Sequence, residues 1–321
     1  MQVFLTSVSS VVVIILIMAL GFLLKQFNWI DDKFGSEISS IITKIALPAS
    51  IFTAVMKNLS RGSLLQLSTE LLFPALGVII GYIIAWLCVK VFKIRPGRRG
   101  IFMNAVVNAN TIFIGMPLNM ALFGDQAMSY FLVYYIINTV STWAFGVFLI
   151  QNDDPTAKGK QTSHKINWKK LLPMPLVGFI VALVWMLLGI PVPTFLNSTL
   201  TYVGNLVTPL SLVYIGIVLH DAGIKNVKFD RDSILALIGR FILSPIVLII
   251  LIKIGMNAGF NLPSLMRQTL VVQSATPMLA VLPILANESH GDVKYATNIV
   301  VESTILFIIV VPILMTILQF I

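Results

Sequence analysis

Residues 104–124, NAVVNANTIFIGMPLNMALFG, decide how this chain folds. The run is strongly apolar, yet Asn104, Asn108, Asn110, Thr111 and Asn119 punctuate it, and Gly115 and Pro117 cut its helix. A proline removes one backbone donor and clashes with the carbonyl a turn earlier. Inside a bilayer, irregular backbone survives only where protein buries it or where it lines a water-filled cavity. A helix broken there presents half-helix ends, whose N–H groups and dipole favour an anion. A second stretch of the same kind occupies residues 268–288, QTLVVQSATPMLAVLPILANE. One interruption in each half of a chain is the mark of a binding site built between discontinuous helices.

The composition agrees with that setting. Of 321 residues, 57% are hydrophobic and only 11% charged, and the mean hydropathy is +0.94. Soluble domains carry roughly a quarter charged residues. The expectation is an all-α polytopic membrane protein. The single cysteine, Cys88, excludes a disulfide framework or a thiolate metal cluster within one chain. The start shows no basic n-region or cleavage motif, so the first helix reads as an uncleaved span.

Apolar runs of about 20 residues, the length that crosses a hydrocarbon core, recur ten times. They lie near 5–24, 38–56, 71–92, 100–123, 128–150, 171–190, 195–219, 233–255, 267–287 and 296–319. An even number of spans puts both termini on one side. With the termini outside, the cytoplasmic loops hold 16 of the 22 Lys and Arg residues and the external loops four. That bias is the positive-inside signature, so the net charge of +9 sets topology and does not indicate a nucleic-acid partner. The polar, basic segment 151–170 reads as a cytoplasmic linker between residues 1–150, holding spans one to five, and residues 171–321, holding spans six to ten. Five is odd, so the two halves enter the membrane upside down relative to each other, as in many secondary transporters. Leu47-Pro48-Ala49-Ser50 in span two echoes Thr208-Pro209-Leu210-Ser211 in span seven. Asn110 stands seven residues before Pro117, and Thr276 seven before Pro283.

The candidate binding residues are Asn108, Asn110, Thr111 and Pro117 in span four, Gln273, Ser274, Thr276 and Pro277 in span nine, and Asn138 in span five. A carboxylate could accept from amide side chains and freed N–H groups together, and such polar residues also stitch membrane helices to one another. Ser50, Ser211 and Tyr214 either line the opposite side of the pathway or pack helices. Glu302 lies within span ten, where an ionised carboxylate is costly. It could carry a coupled proton, pair with Lys44 or Arg240, or reach water at the interface. Arg240 could snorkel or supply a countercharge to an anion. His164, His220 and His290 fall in loops without ligand spacing, so no metal site is expected. Asp31-Asp32 and Asp153-Asp154 read as solvated charge, and Arg95-Pro96-Gly97-Arg98-Arg99-Gly100 as a cytoplasmic turn.

At these residues the chain resembles the auxin efflux carrier family, in particular its short-loop bacterial members described as malate permeases. The likeness rests on Gly21-Phe22-Leu23-Leu24-Lys25, Ala46-Leu47-Pro48, the run from Asn110 through Pro117 with Leu122-Phe123-Gly124, Arg240 with Pro245, and Ser274-Ala275-Thr276-Pro277 through Glu288. Met174 stands where the family usually has an asparagine before the proline. The resemblance implies a ten-helix fold of two inverted five-helix repeats, with helices four and nine broken and crossing at the substrate site. Spans 1, 2, 6 and 7 would form a scaffold that also dimerises in the plasma membrane, and spans 3–5 and 8–10 a transport domain moving like an elevator. It implies a permease, not an enzyme, for a small organic anion such as malate, with no cofactor beyond a coupling proton or sodium ion. A sodium-coupled carrier of the bile-acid type shares the crossover arrangement, and a receptor that binds without moving its ligand is the alternative of another class.

Overall fold

A computed structural model describes residues 2–58, 60, 64–155, 174–223 and 229–318. The described residues of the ten apolar runs are largely helical, with breaks at 108–110 and 275–281. In chain order the helices are α1 (Gln2–Gln26), α2 (Phe34–Ile41), α3 (Leu47–Asn58), α4 (Leu64–Val91), α5 (Arg99–Val107), α6 (Met116–Phe123), α7 (Met128–Val140) and α8 (Val147–Gln151). Then follow α9 (Met174–Leu188), α10 (Thr194–Gly204), α11 (Val207–Ala222), α12 (Arg231–Ile238), α13 (Ser244–Asn257), α14 (Ser264–Ser274), α15 (Leu282–Glu288) and α16 (Val293–Ile317). Among the described residues, six continuous stretches are long and apolar enough to cross a membrane, and residues 12–26, 111–123 and 174–188 form shorter apolar helices. The chain is an all-helical, multi-pass membrane protein. Most of the 151–170 linker lies outside the described residues.

Several junctions between these helices are single π turns, and the prolines explain three of them. Residues 42–46, 111–115 and 239–243 are π-helical, and Pro48, Pro117 and Pro245 each follow two residues later. The residue before each proline bonds five residues back: Leu47 to the Ile42 carbonyl, Met116 to Thr111 and Ser244 to Gly239. A proline has no N–H and its ring presses on the carbonyl of residue i−4. Widening that turn makes room for the ring and keeps the helix going.

Two groups of helices pack together, each drawn from both halves of the chain. In one, α1 lies along α11, and α3 against α9 and α10. Contact there is backbone to backbone: a Cβ on Gly216 would fall 1.9 Å from the Met18 carbonyl oxygen, and one on Gly21 would fall 2.1 Å from that of Val213. Small residues that admit such approach are the usual means of helix association in lipid, where burial of apolar surface gives no advantage. In the other group, α4 packs on α5, α7 and α13, and α12 on α5 and α16.

Candidate functional site

The two interruptions meet. Helix α5 ends at Val107, Asn108 turns extended (φ −99, ψ 138), and a new helix starts after Asn110. In the other half, α14 ends at Ser274 and α15 begins only at Leu282. Between them Ala109 and Met278 form an antiparallel bridge, and the Asn110 N–H donates to the Pro277 carbonyl at 2.8 Å. The freed backbone is satisfied by side chains. Asn138 accepts from the Ala109 N–H at 2.8 Å and donates to the Ala109 carbonyl at 3.0 Å, acting as a substitute strand. Asn108 donates to the Tyr82 hydroxyl and to Asn104 Oδ1, and accepts from Ser141. Asn110 Oδ1 caps the new helix by accepting from the Phe113 N–H. Gln273 donates across to the Gly115 carbonyl at 2.9 Å, and Ser303 of α16 accepts from the Met278 N–H at 3.2 Å.

Arg240 ties this crossing together, which corrects the expectation that it snorkels. It is fully buried, so it does not snorkel. Its Nε donates to the Thr276 carbonyl at 2.7 Å, Nη1 to the carbonyls of Val106 and Val107 at 3.2 and 3.0 Å, and Nη2 to that of Gln273 at 3.3 Å. These oxygens lie at the C-terminal ends of α5 and α14, where unpaired carbonyls and helix dipoles concentrate negative charge. The guanidinium fork fits that demand and has its donors committed to it. Arg240 is therefore a cross-link between half-helices, and it does not line the cavity described next.

A cavity of about 280 Å³ opens beside the crossing. The start of the second half-helix contributes Asn110, Thr111, Ile112 and Phe113, and the stretch before α15 contributes Leu279, Ala280 and Val281. Helix α7 and the π turn after it supply Tyr135, Asn138, Thr139, Thr142 and Trp143. From the first helix group come Ser39, Thr43 and Tyr214. No lining residue is charged and most of the lining is apolar. Two lining residues carry buried donors that no geometric hydrogen bond satisfies, Asn110 Nδ2 and the Tyr135 hydroxyl, the latter beside Thr139. Leaving such groups unpaired costs about 1–3 kcal/mol each, so they are the natural contacts for a guest with acceptor oxygens. A second cavity of about 740 Å³ is lined by Ser50, Met116, Met120, Asn197 and Thr208, with the Lys57–Asp125 ion pair among its lining residues. The rings of Phe113 and Tyr214, both in the lining of the smaller cavity, pack at 4.7 Å.

At one end of the second helix group, Arg98 joins elements far apart in sequence. It bonds Asp230, Asp232 and Asp292, and its guanidinium stacks 4.5 Å from the Tyr295 ring centre. Asp230 and Asp292 are the N-caps of α12 and α16. Burial works against the Arg98 charge, but Asp230 and Asp292 outweigh it and raise its pKa. Burial likewise pushes Asp230 upward, and the Arg98 and Ser233 bonds outweigh that and hold it below the usual carboxylate value.

Residues 6–315 match the family described as membrane transport protein. The chain belongs to this family. Its resemblance to auxin efflux carriers, read from the motifs, thus covers nearly the whole chain. The chain is similar to an uncharacterized transporter of Methanocaldococcus jannaschii, 24% identical over 307 residues, which is 94% of this chain and 96% of the relative. It is also similar to an uncharacterized transporter of Methanothermobacter thermautotrophicus, 23% identical over 314 residues, 97% and 98% of the two chains.

For this membrane transport family member, the candidate residues sort into three groups. Asn110, Thr111, Asn138 and Tyr214 come together in the smaller cavity, and Ser50 lines the larger one. Asn108, Gln273, Ser274, Thr276 and Pro277 build the crossing and line neither; the Thr276 hydroxyl donates to the Gln273 carbonyl. Pro117 and Ser211 are also away from both, Ser211 fully buried with an unpartnered hydroxyl. Tyr135, Thr139, Thr142 and Trp143 escaped notice, although with Asn138 they stand at helical spacing on one face of an apolar span, a signal available in the sequence. Asp31 and Asp153 are not merely solvated: Asp31 accepts from the N–H groups of Lys33 and Phe34, and Asp153 from those of Arg99 and Gly100 at the start of α5. Lys25 engages Asp32.

Proposed function

We propose that this transporter is a secondary carrier of a small organic anion, malate or a related carboxylate. The carrying observation is that two interrupted helices cross beside a cavity lined by Asn110, whose buried Nδ2 has no partner, and by Tyr135, whose hydroxyl lies beside Thr139. A carboxylate seated there accepts from both, at the positive end of the helix that begins at Thr111. With no basic side chain in the lining, one ionised carboxylate seats at the crossing. Malate would enter with its second carboxyl neutral, since a second buried carboxylate would stay uncompensated, and a monocarboxylate on a compact body escapes that cost.

In this reading the ten helical runs are two inverted repeats, with the termini outside and the 151–170 linker in the cytoplasm. The group holding α1, α3, α9 and α11 is the scaffold through which the carrier dimerises. The crossing rides in the other group, which slides as one body past the Phe113–Tyr214 contact and exposes the cavity to each side of the plasma membrane in turn. The Arg240 and Arg98 networks support this, since both lie within the group that would move. The test is uptake of labelled malate and of monocarboxylates into proteoliposomes by the full chain, Asn110→Ala and Tyr135→Phe. Saturable uptake lost in both variants supports the site. Undiminished uptake in both removes it.

A further inference from the structure

Glu302 sits on α16 with none of its surface exposed, and neither carboxylate oxygen has a hydrogen-bond partner. The bases that could have paired with it are engaged elsewhere. Arg240 is committed to four backbone carbonyls, Arg98 to Asp230, Asp232 and Asp292, and Lys25 to Asp32. The Ser233 hydroxyl on α12 faces Glu302 but already donates to the Asp230 carbonyl. The helices packed against α16 are α1, α11, α12, α14 and α15. Helix α12 brings Asp230 at its cap and Asp232, which add to the negative charge. Helix α11 ends in His220 and Asp221, which pair with each other, α15 ends in Glu288, and α14 carries only Arg267, near its start. On α16 itself the exposed Lys294 and the buried Tyr295 stand about two turns away, and Tyr295 stacks on Arg98.

An ionised carboxylate in that position would have lost its water and gained nothing in return, a penalty the neutral acid escapes. The location also matters. The next residue, Ser303, holds the Met278 N–H, Met278 bridges to Ala109, and Ala109 precedes the cavity residue Asn110. The acid is thus linked to the crossing by one side chain and one backbone pair.

We infer that Glu302 is a proton-binding site inside the moving helix group, occupied as the neutral acid while sealed, and that it couples the carrier to the proton gradient. This rests on the carrier reading, with the proton as the coupling ion. Glu302 acquires a proton from water when its surroundings open on one side and releases it on the other; no covalent step is involved. An imposed gradient of one pH unit then changes accumulation of the anion by about tenfold per coupled proton.

Two measurements on the full chain in lipid decide this. Infrared difference spectra between the parent and Glu302→Gln at neutral pH are expected to show one protonated-carboxyl carbonyl stretch, present in the parent and missing in the variant, and shifted in Glu302→Asp. Absence of that band in the parent, or its persistence in Glu302→Gln, overturns the proton site. In proteoliposomes, Glu302→Gln is expected to retain exchange of labelled for unlabelled anion and to lose the tenfold response to the gradient. An unchanged response with the band lost overturns the coupling. If no organic acid moves, the carrier reading fails, and the infrared difference still settles the proton site by itself.

Discussion

The N–H of Asn110 donates to the carbonyl of Pro277 at 2.8 Å, joining two residues 167 positions apart in sequence. Each belongs to a stretch in which a helix has been stopped, and the bond lets each stop satisfy the other. Asn110 then has a second task, because its side chain caps the following helix through Oδ1 and leaves Nδ2 buried without a partner in a residue of the cavity lining.

Those two tasks separate in Asn110→Asp. The carboxylate still caps the Phe113 N–H, so folding is retained, while the free donor is replaced by a negative charge facing the guest. A lost hydrogen bond to a charged group amounts to about 1.5–3 kcal/mol, so uptake at low substrate should fall at least about tenfold, with the thermal midpoint nearly unchanged. Initial uptake rates beside a thermal unfolding curve check both halves.

Arg240→Met should damage the fold itself. Four carbonyls lose their donor at once, and each unsatisfied buried group costs about 1–3 kcal/mol. Arg240→Lys, with a point charge in place of a planar fork, should recover only part. Thermal unfolding in detergent is expected to rank parent, Lys, then Met, and a Met variant as stable as the parent would contradict the cross-link.

Gly216→Val tests the seam between α1 and α11. Its new side chain would begin 1.9 Å from the Met18 carbonyl oxygen, backbone that has no flexible end to yield. Overpacking of ordinary cores costs about 1–3 kcal/mol, and this substitution should reach or exceed the top of that range. Monodispersity and midpoint after purification report it.

The Arg98 node predicts an acid limit. Asp230 is held below the ordinary carboxylate value, so the folded chain keeps the site charged where the unfolded chain already takes up a proton. Its contribution is fully present above the unfolded value, about 4, and is lost as pH falls through the folded one. Unfolding temperature should be level through the neutral range and drop steeply below about pH 4. Arg98→Gln should lower the plateau and blunt the drop.

The interruptions were legible because Asn, Gly and Pro in an apolar run announce themselves chemically. The π turns ahead of Pro48, Pro117 and Pro245 carried the same local signal. The pairing of Ala109 with Met278 was not legible, since periodicity within one segment says nothing about which distant backbone will lie beside it. Arg240 was misread for a related reason: its partners are carbonyls, which every residue has, so no side-chain pattern points to them. Arg98 stood in what read as a simple turn because its acids lie 132, 134 and 194 residues away. The hydroxyl and aromatic face of α7 went unseen for lack of charge, although charge is what this cavity leaves out.

The single guanidinium of Arg240 reaches carbonyls contributed by residues 106 and 107 on one side and 273 and 276 on the other. Either half of the chain by itself would therefore be an unfinished structure, with a gap in its helix that only the opposite half can close. A polypeptide severed within residues 156–173 should consequently reassemble from its two pieces, and neither piece should persist in a membrane without the other.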